Sequence, residues 1–131
     1  FVTAYTAVAL APDGGMSYLL PRMIGMARAK EMMMTNRHLT ALEALDWGLV
    51  NRVIPDNELM AQAEAIAQSL AVGPTLSLGS VKKLVHESFS ETLESQMERE
   101  ARNIVDMTRT DDAMEGINAF LEKRRPVFHG R

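Results

Sequence analysis

Apolar positions recur at helical spacing over most of the chain. Leu59, Ala63, Ile66, Ala67 and Leu70 share one face of a segment that Asp56 opens and Gly73-Pro74 closes. A further helix is predicted over Leu76 to Glu87. Another runs from about Ser90 to Thr108, with Leu93, Met97, Ala101, Ile104, Val105 and Thr108 as a stripe and Glu94, Glu98, Arg99, Glu100 and Arg102 outside it. Asp111 or Asp112 is expected to cap a last helix to about Lys123, stopped by Pro126.

The first third of the chain is patterned differently. Phe1 to Ala11 is rich in β-branched, aromatic and small residues and predicts one or two short strands. Pro12-Asp13-Gly14-Gly15 is a turn. Ser17 to Leu20 reads as a helical turn before Pro21, because a proline disfavours helix at the residue before it. Ala27 to Thr35 has strong helix composition, with Asn36 as its stop. Thr40-Ala41-Leu42-Glu43 is a capping box opening a short helix that ends at Gly48. Leu49 to Ile54 then reads as a strand closed by Pro55.

Composition narrows the classes. The 131 residues are 47% apolar and 24% charged, which excludes wholesale disorder. No apolar run reaches the roughly 18–20 residues that span a bilayer, so no membrane partner is expected. A net charge of −3 argues against a dedicated nucleic-acid binder. The absence of cysteine removes disulfides, thiolate metal sites and a cysteine nucleophile. His38, His86 and His129 show no ligand spacing, so no metal site is expected. The abrupt apolar start at Phe1 lacks the basic region of a signal peptide and suggests that a segment precedes it. A cytoplasmic location is the expectation, with an organelle left open. The ten methionines, Met26 and Met32 to Met34 among them, read as gap-filling core or as the lining of an acyl pocket.

Asp13 is the acid with the most chemical interest. On a glycine turn before a helix, its carboxylate either caps the helix amides or is aimed into a pocket to move a proton. Tyr5 and Tyr18 can each pack in a core or orient a substrate. Trp47 reads as a packing anchor at a helix–strand corner. The tail Phe120-Leu121-Glu122-Lys123-Arg124-Arg125-Pro126 sets three cations beside an aromatic ring. It can hold a phosphorylated adenine group, or serve only as a solvated helix end.

Taken in order, these residues resemble the C-terminal half of the crotonase superfamily, the enoyl-CoA hydratase/isomerase family. The resemblance runs through Pro12-Asp13-Gly14-Gly15, Leu20-Pro21-Arg22-Met23-Ile24-Gly25 and Ala27-Arg28-Ala29. It continues through Leu39-Thr40-Ala41-Leu42-Glu43-Ala44 and Trp47-Gly48-Leu49-Val50-Asn51-Arg52-Val53. It ends with Asp112, Glu115-Gly116-Ile117, Ala119-Phe120-Leu121-Glu122-Lys123-Arg124 and Pro126-Val127-Phe128. Order and spacing carry it across essentially the whole chain.

The resemblance implies an α/β fold: the C-terminal part of a crotonase-like ββα fold, mostly helical here, with short strands near residues 1–10 and 49–54. Residues 1–55 would be the edge of the core with the active-site turn, and 56–131 a helical trimerisation region. It implies an acyl-CoA substrate, no separate cofactor, and a homotrimer or hexamer. Enolate stabilisation would come from two backbone amides upstream of the position matching Phe1. A glutamate used by the family's hydratases is replaced here at Ala4-Tyr5. Asp13 stands where isomerases of the family carry a single acid, which implies a Δ3,Δ2-enoyl-CoA isomerase with Asp13 as acid/base. Tyr5 would line the acyl pocket, and Phe120 and Lys123 would contact CoA. The stretch Phe1-Val2, Ala4, Asp13, Ser17-Tyr18, Gly25-Met26 and Asp46 to Val50 is also similar to 4-chlorobenzoyl-CoA dehalogenase. There the matching aspartate is a nucleophile and a tryptophan matches Tyr5. A hydratase, and a CoA-binding or assembly module without chemistry, are the remaining alternatives.

Overall fold

The computed structural model describes all 131 residues and contains seven α-helices and no β-strand. The helices are α1 (Met16–Ile24), α2 (Met26–Thr35), α3 (Ala41–Asp46), α4 (Asp56–Ala71), α5 (Thr75–Glu87), α6 (Leu93–Met107) and α7 (Asp111–Leu121), with a single 3₁₀ turn at Tyr5–Val8. They fall into two compact units, Phe1–Asp56 and Asn57–Arg131.

The strands expected near residues 1–10 and 49–54 are absent. A strand needs a neighbour to take up its amides and carbonyls. Around Phe1 that pairing stops after one rung, where Phe1 and Leu39 exchange two backbone hydrogen bonds of 2.8 Å. The chain then coils into the 3₁₀ turn. At the second site the amides of Leu49 and Val50 both turn back onto the Ala44 carbonyl, at 2.8 and 3.3 Å. They close the end of α3 instead of starting a ladder.

In the first unit, Leu20, Ile24, Ala29, Met32 and Leu39 form the core, with Met16, Met33, Trp47 and Leu49 packed against it. Helix α1 is longer than the sequence suggests because it runs through Pro21. An interior proline costs about 3 kcal/mol through its missing amide and its clash with the preceding turn. Leu20 and Ile24 flank it and are both buried. Burying each contributes roughly 1.5–3 kcal/mol, enough to offset the proline. Asn36 ends α2 in the left-handed conformation, and the Thr40/Glu43 capping box forms in both directions. Trp47 lies beneath the guanidinium groups of Arg28 and Arg37, at 5.0 and 4.6 Å. Arg37 is held in turn by Glu31 at 2.6 Å and Glu43 at 3.0 Å. Tyr18 is exposed, with Arg22 stacked 3.5 Å from its ring, and does not enter the core. The methionines divide: Met32 is 2% exposed, whereas Met26 and Met34 face solvent.

In the second unit, α5 packs on α6. The side-chain amide of Gln96 donates to the Leu84 carbonyl at 3.1 Å, and Arg99 bridges Glu87 and Glu91 at 3.2 and 2.7 Å. The apolar stripe of α6 is not the face that packs: Leu93, Met97, Ile104 and Val105 are exposed. Thr110, not Asp111 or Asp112, caps α7, its hydroxyl accepting from the Ala113 amide at 3.1 Å. That frees Asp112. Its buried carboxylate accepts from the amides of His129 and Gly130 at 2.7 and 2.8 Å, pinning the tail to the start of α7. No helix is long and apolar enough to cross a membrane.

Candidate active site

The turn before α1 depends on two adjacent glycines. Gly14 has φ +57° and Gly15 has φ +81°, a left-handed pair that side-chain-bearing residues adopt only at a cost. Gly15 is the helix N-cap and supplies no capping side chain. Asp13 takes part only through its backbone, its carbonyl accepting from the Met16 amide at 2.9 Å. The capping reading of Asp13 is therefore overturned, and its carboxylate is left for another task.

That carboxylate meets Tyr5. The Tyr5 hydroxyl donates to Asp13 Oδ1 at 2.8 Å. The bond to the carboxylate raises the phenol above its ordinary pKa of 10.0, while the Asp13 backbone amide acts weakly in the opposite sense. Tyr5 therefore stays protonated through the neutral range and acts as a donor. Asp13 itself is exposed and Tyr5 half-buried. The next residue, Gly14, lines an apolar cleft of about 350 Å³ with Phe1, Val2, Met16, Leu19, Leu20 and Met23 among its walls. Met16 and Leu20, near Asp13 in the sequence, line that cleft, whereas Leu10 faces solvent.

Tyr5 reaches Asp13 through strained backbone. Ala4 at φ 34° and Ala9 at φ 57° bracket the 3₁₀ turn, both in the left-handed region. Each such alanine costs roughly 1–2 kcal/mol. The turn is tied down at two points: the Thr6 hydroxyl donates to the Met33 carbonyl at 3.0 Å, and the buried Thr3 hydroxyl donates to the Met32 carbonyl at 3.0 Å. Reading Tyr5 on a strand gave no sign of this pairing. Its only trace in the sequence is the glycine turn that folds Asp13 back.

Phe120 and Lys123 lie in the second unit. Phe120 is 82% exposed at the end of α7. Lys123 follows the C-cap Glu122 in the left-handed conformation (φ 54°), its amide bonded to the Phe120 carbonyl at 3.2 Å. The ring and the ammonium group are therefore both presented to solvent from one helix end. Of the neighbouring cations, Arg124 is already committed. Glu115 takes both its terminal nitrogens, at 2.6 and 2.8 Å, and also accepts from the Val127 amide at 2.8 Å. Arg124 first, then the Val127 amide, hold the Glu115 carboxyl down at about 2. No local pattern signals this clamp, because its partners lie nine positions apart across a helix end and turn.

Comparison with known proteins gives the family. The profile of the enoyl-CoA hydratase/isomerase family matches residues 1–131. The chain is 37% identical over its whole length to half of 1,2-epoxyphenylacetyl-CoA isomerase from Escherichia coli (strain K12). Over 80% of its length it is 42% identical to 4-chlorobenzoyl coenzyme A dehalogenase-1 from Arthrobacter sp, covering 38% of that protein. The solved structure of an enoyl-CoA hydratase from Polaromonas sp. JS666 superposes with a TM-score of 0.91 at 36% identity, over 98% of this chain and 50% of that one. The chain thus spans about half the length of the isomerase and hydratase relatives, and less of the dehalogenase. With the profile covering every residue, the chain belongs to the enoyl-CoA hydratase/isomerase family, a branch of the crotonase superfamily.

Proposed function

We propose that this chain forms the C-terminal part of an acyl-CoA enzyme, with Δ3,Δ2-enoyl-CoA isomerisation as its reaction. Asp13 removes a proton from C2 of a 3-enoyl-CoA and returns it at C4. One base serves both carbons because the dienolate spreads its charge between them, and upstream backbone amides stabilise the thioester oxyanion. Tyr5 lines the acyl pocket beside Asp13. Phe120 and Lys123 hold the adenine and phosphate end of CoA by stacking and charge. Residues 1–55 supply the active-site edge, while 56–131 assemble a trimer or hexamer through their exposed helix faces. The observation that carries the reading is the freedom of the Asp13 carboxylate from any helix-capping role on its glycine turn.

A second reading is supported by the dehalogenase relative. In it the Asp13 carboxylate attacks an aryl ring carbon and displaces chloride. The test supplies the intact protein with 3-hexenoyl-CoA and, separately, 4-chlorobenzoyl-CoA. Isomerisation that falls by about 10²-fold or more in Asp13→Asn supports the first reading. Chloride release without isomerisation supports the second. Isomerisation that Asp13→Asn leaves intact removes Asp13 from the chemistry.

A further inference from the structure

We infer that Tyr5 is a positioning residue for Asp13, its phenol holding one carboxylate oxygen so that the other is presented to the reacting carbon. The inference rests on the reading of Asp13 as the acid/base. It goes beyond a pocket-lining role because it assigns Tyr5 a bond to the base, where a lining residue would need only a surface against the acyl chain.

Three observations meet at this pair. The 2.8 Å hydrogen bond engages Oδ1 and leaves Oδ2 without a side-chain donor. The phenol is the donor of this bond, and by donating to Oδ1 it orients the carboxyl group. Next, the turn bearing Tyr5 is held in an unfavourable backbone geometry at both ends, by Ala4 and Ala9. Strain of this kind persists only where the surroundings fix it, and it concentrates where a side chain must be aimed. Finally, that fixing is visible. Thr6 bonds the turn to the end of α2, and the Leu10 amide closes onto the Tyr5 carbonyl at 3.0 Å. Asp13 sits on an otherwise exposed glycine turn, where an unheld carboxylate would sample several rotamers. A donor carried on an anchored turn removes that freedom before substrate arrives.

The test compares Tyr5→Phe, Asp13→Asn and the double variant in the intact protein. Tyr5→Phe keeps the ring, and so the pocket wall, but loses the donor. Positioning predicts a kcat about tenfold lower or more, with KM and the thermal midpoint unchanged. In the Asp13→Asn background the same change should cost nothing further. A rise in KM at constant kcat makes Tyr5 a pocket wall and overturns the inference, as does a loss of equal size with and without the Asp13 carboxylate. A crippled Asp13→Asn beside a fully active Tyr5→Phe overturns this inference alone, whereas a fully active Asp13→Asn overturns the acid/base reading beneath it. A readout independent of turnover is the titration of ¹³C-labelled Tyr5 followed by NMR. Asp13→Asn should bring its pKa down toward 10.0, and a titration that does not move refutes the pairing.

Discussion

The two units divide their apolar residues in opposite ways. In Phe1–Asp56 the side chains of Leu20, Ile24, Met32 and Leu39 are turned inward against one another. In Asn57–Arg131 the only buried residues are Ala119 and Asp112, and α4, α5 and α6 bury none fully. Yet α6 has a sharply two-sided pattern, with Leu93, Met97, Ile104 and Val105 on one side and its charges on the other. An amphipathic helix whose apolar side faces solvent has a face patterned for burial that the chain itself does not cover. The first unit is held by its core. In the second, polar clamps accompany the packing of α5 on α6: Asp112 on the tail, Glu115 on Arg124 and Val127, and Arg99 on two glutamates.

The largest way to sharpen this contrast is Met32→Ala. The side chain is 2% exposed at the centre of the first unit. Its truncation should cost about 2–5 kcal/mol, measured by denaturant unfolding. A cost below about 1 kcal/mol would mean that the first unit lacks the core described for it.

A smaller effect is expected from the polar clamp, present at neutral pH and lost in acid. The Glu115 carboxyl is depressed from 4.5 to about 2 in the folded chain. Its contribution to stability is therefore complete above pH 4.5 and is lost as pH falls from there toward 2. In Glu115→Gln the thermal midpoint should be lower at neutral pH and should lose that acid-dependent component. A variant and a wild type with parallel midpoints from pH 6 to 3 would break the argument.

The smallest effect on the chain's own stability is expected at Ile104→Glu. With Ile104 66% exposed, the change should stay within about 0.5 kcal/mol. In the intact protein it should instead dissociate the proposed assembly, read by sedimentation. An unaltered oligomer would remove α6 from the interface.

Much of the local structure was legible in the residues. The Thr40/Glu43 box, the Asn36 stop and the extents of α2, α4 and α5 depend on bonds that span three or four residues, and composition reports such bonds directly. The order of motifs from Pro12 to Phe128 was enough to identify the family. Other features lay beyond local pattern. Pro21 read as a break, but burial of Leu20 and Ile24 outweighs it. Leu49 to Ile54 has strand composition, yet a strand exists only with a partner, and the amides of Leu49 and Val50 close on Ala44. The stripe on α6 was visible as a pattern, but its exposure was not, because periodicity shows that a face is apolar and not what covers it.

The candidate site divides in the same way. Sequence alone singled out Asp13, since glycines beside an acid mark a turn whatever surrounds it. Its freedom from capping and its bond to Tyr5 were decided by tertiary structure. Two left-handed alanines and the anchoring of the turn on α2 bring a phenol eight residues away to within 2.8 Å. The hydrogen bonds that shape helices are short-range and repeat along the chain. Those that aim a side chain depend on where separate segments meet, which the packing of α1, α2 and the 3₁₀ turn determines.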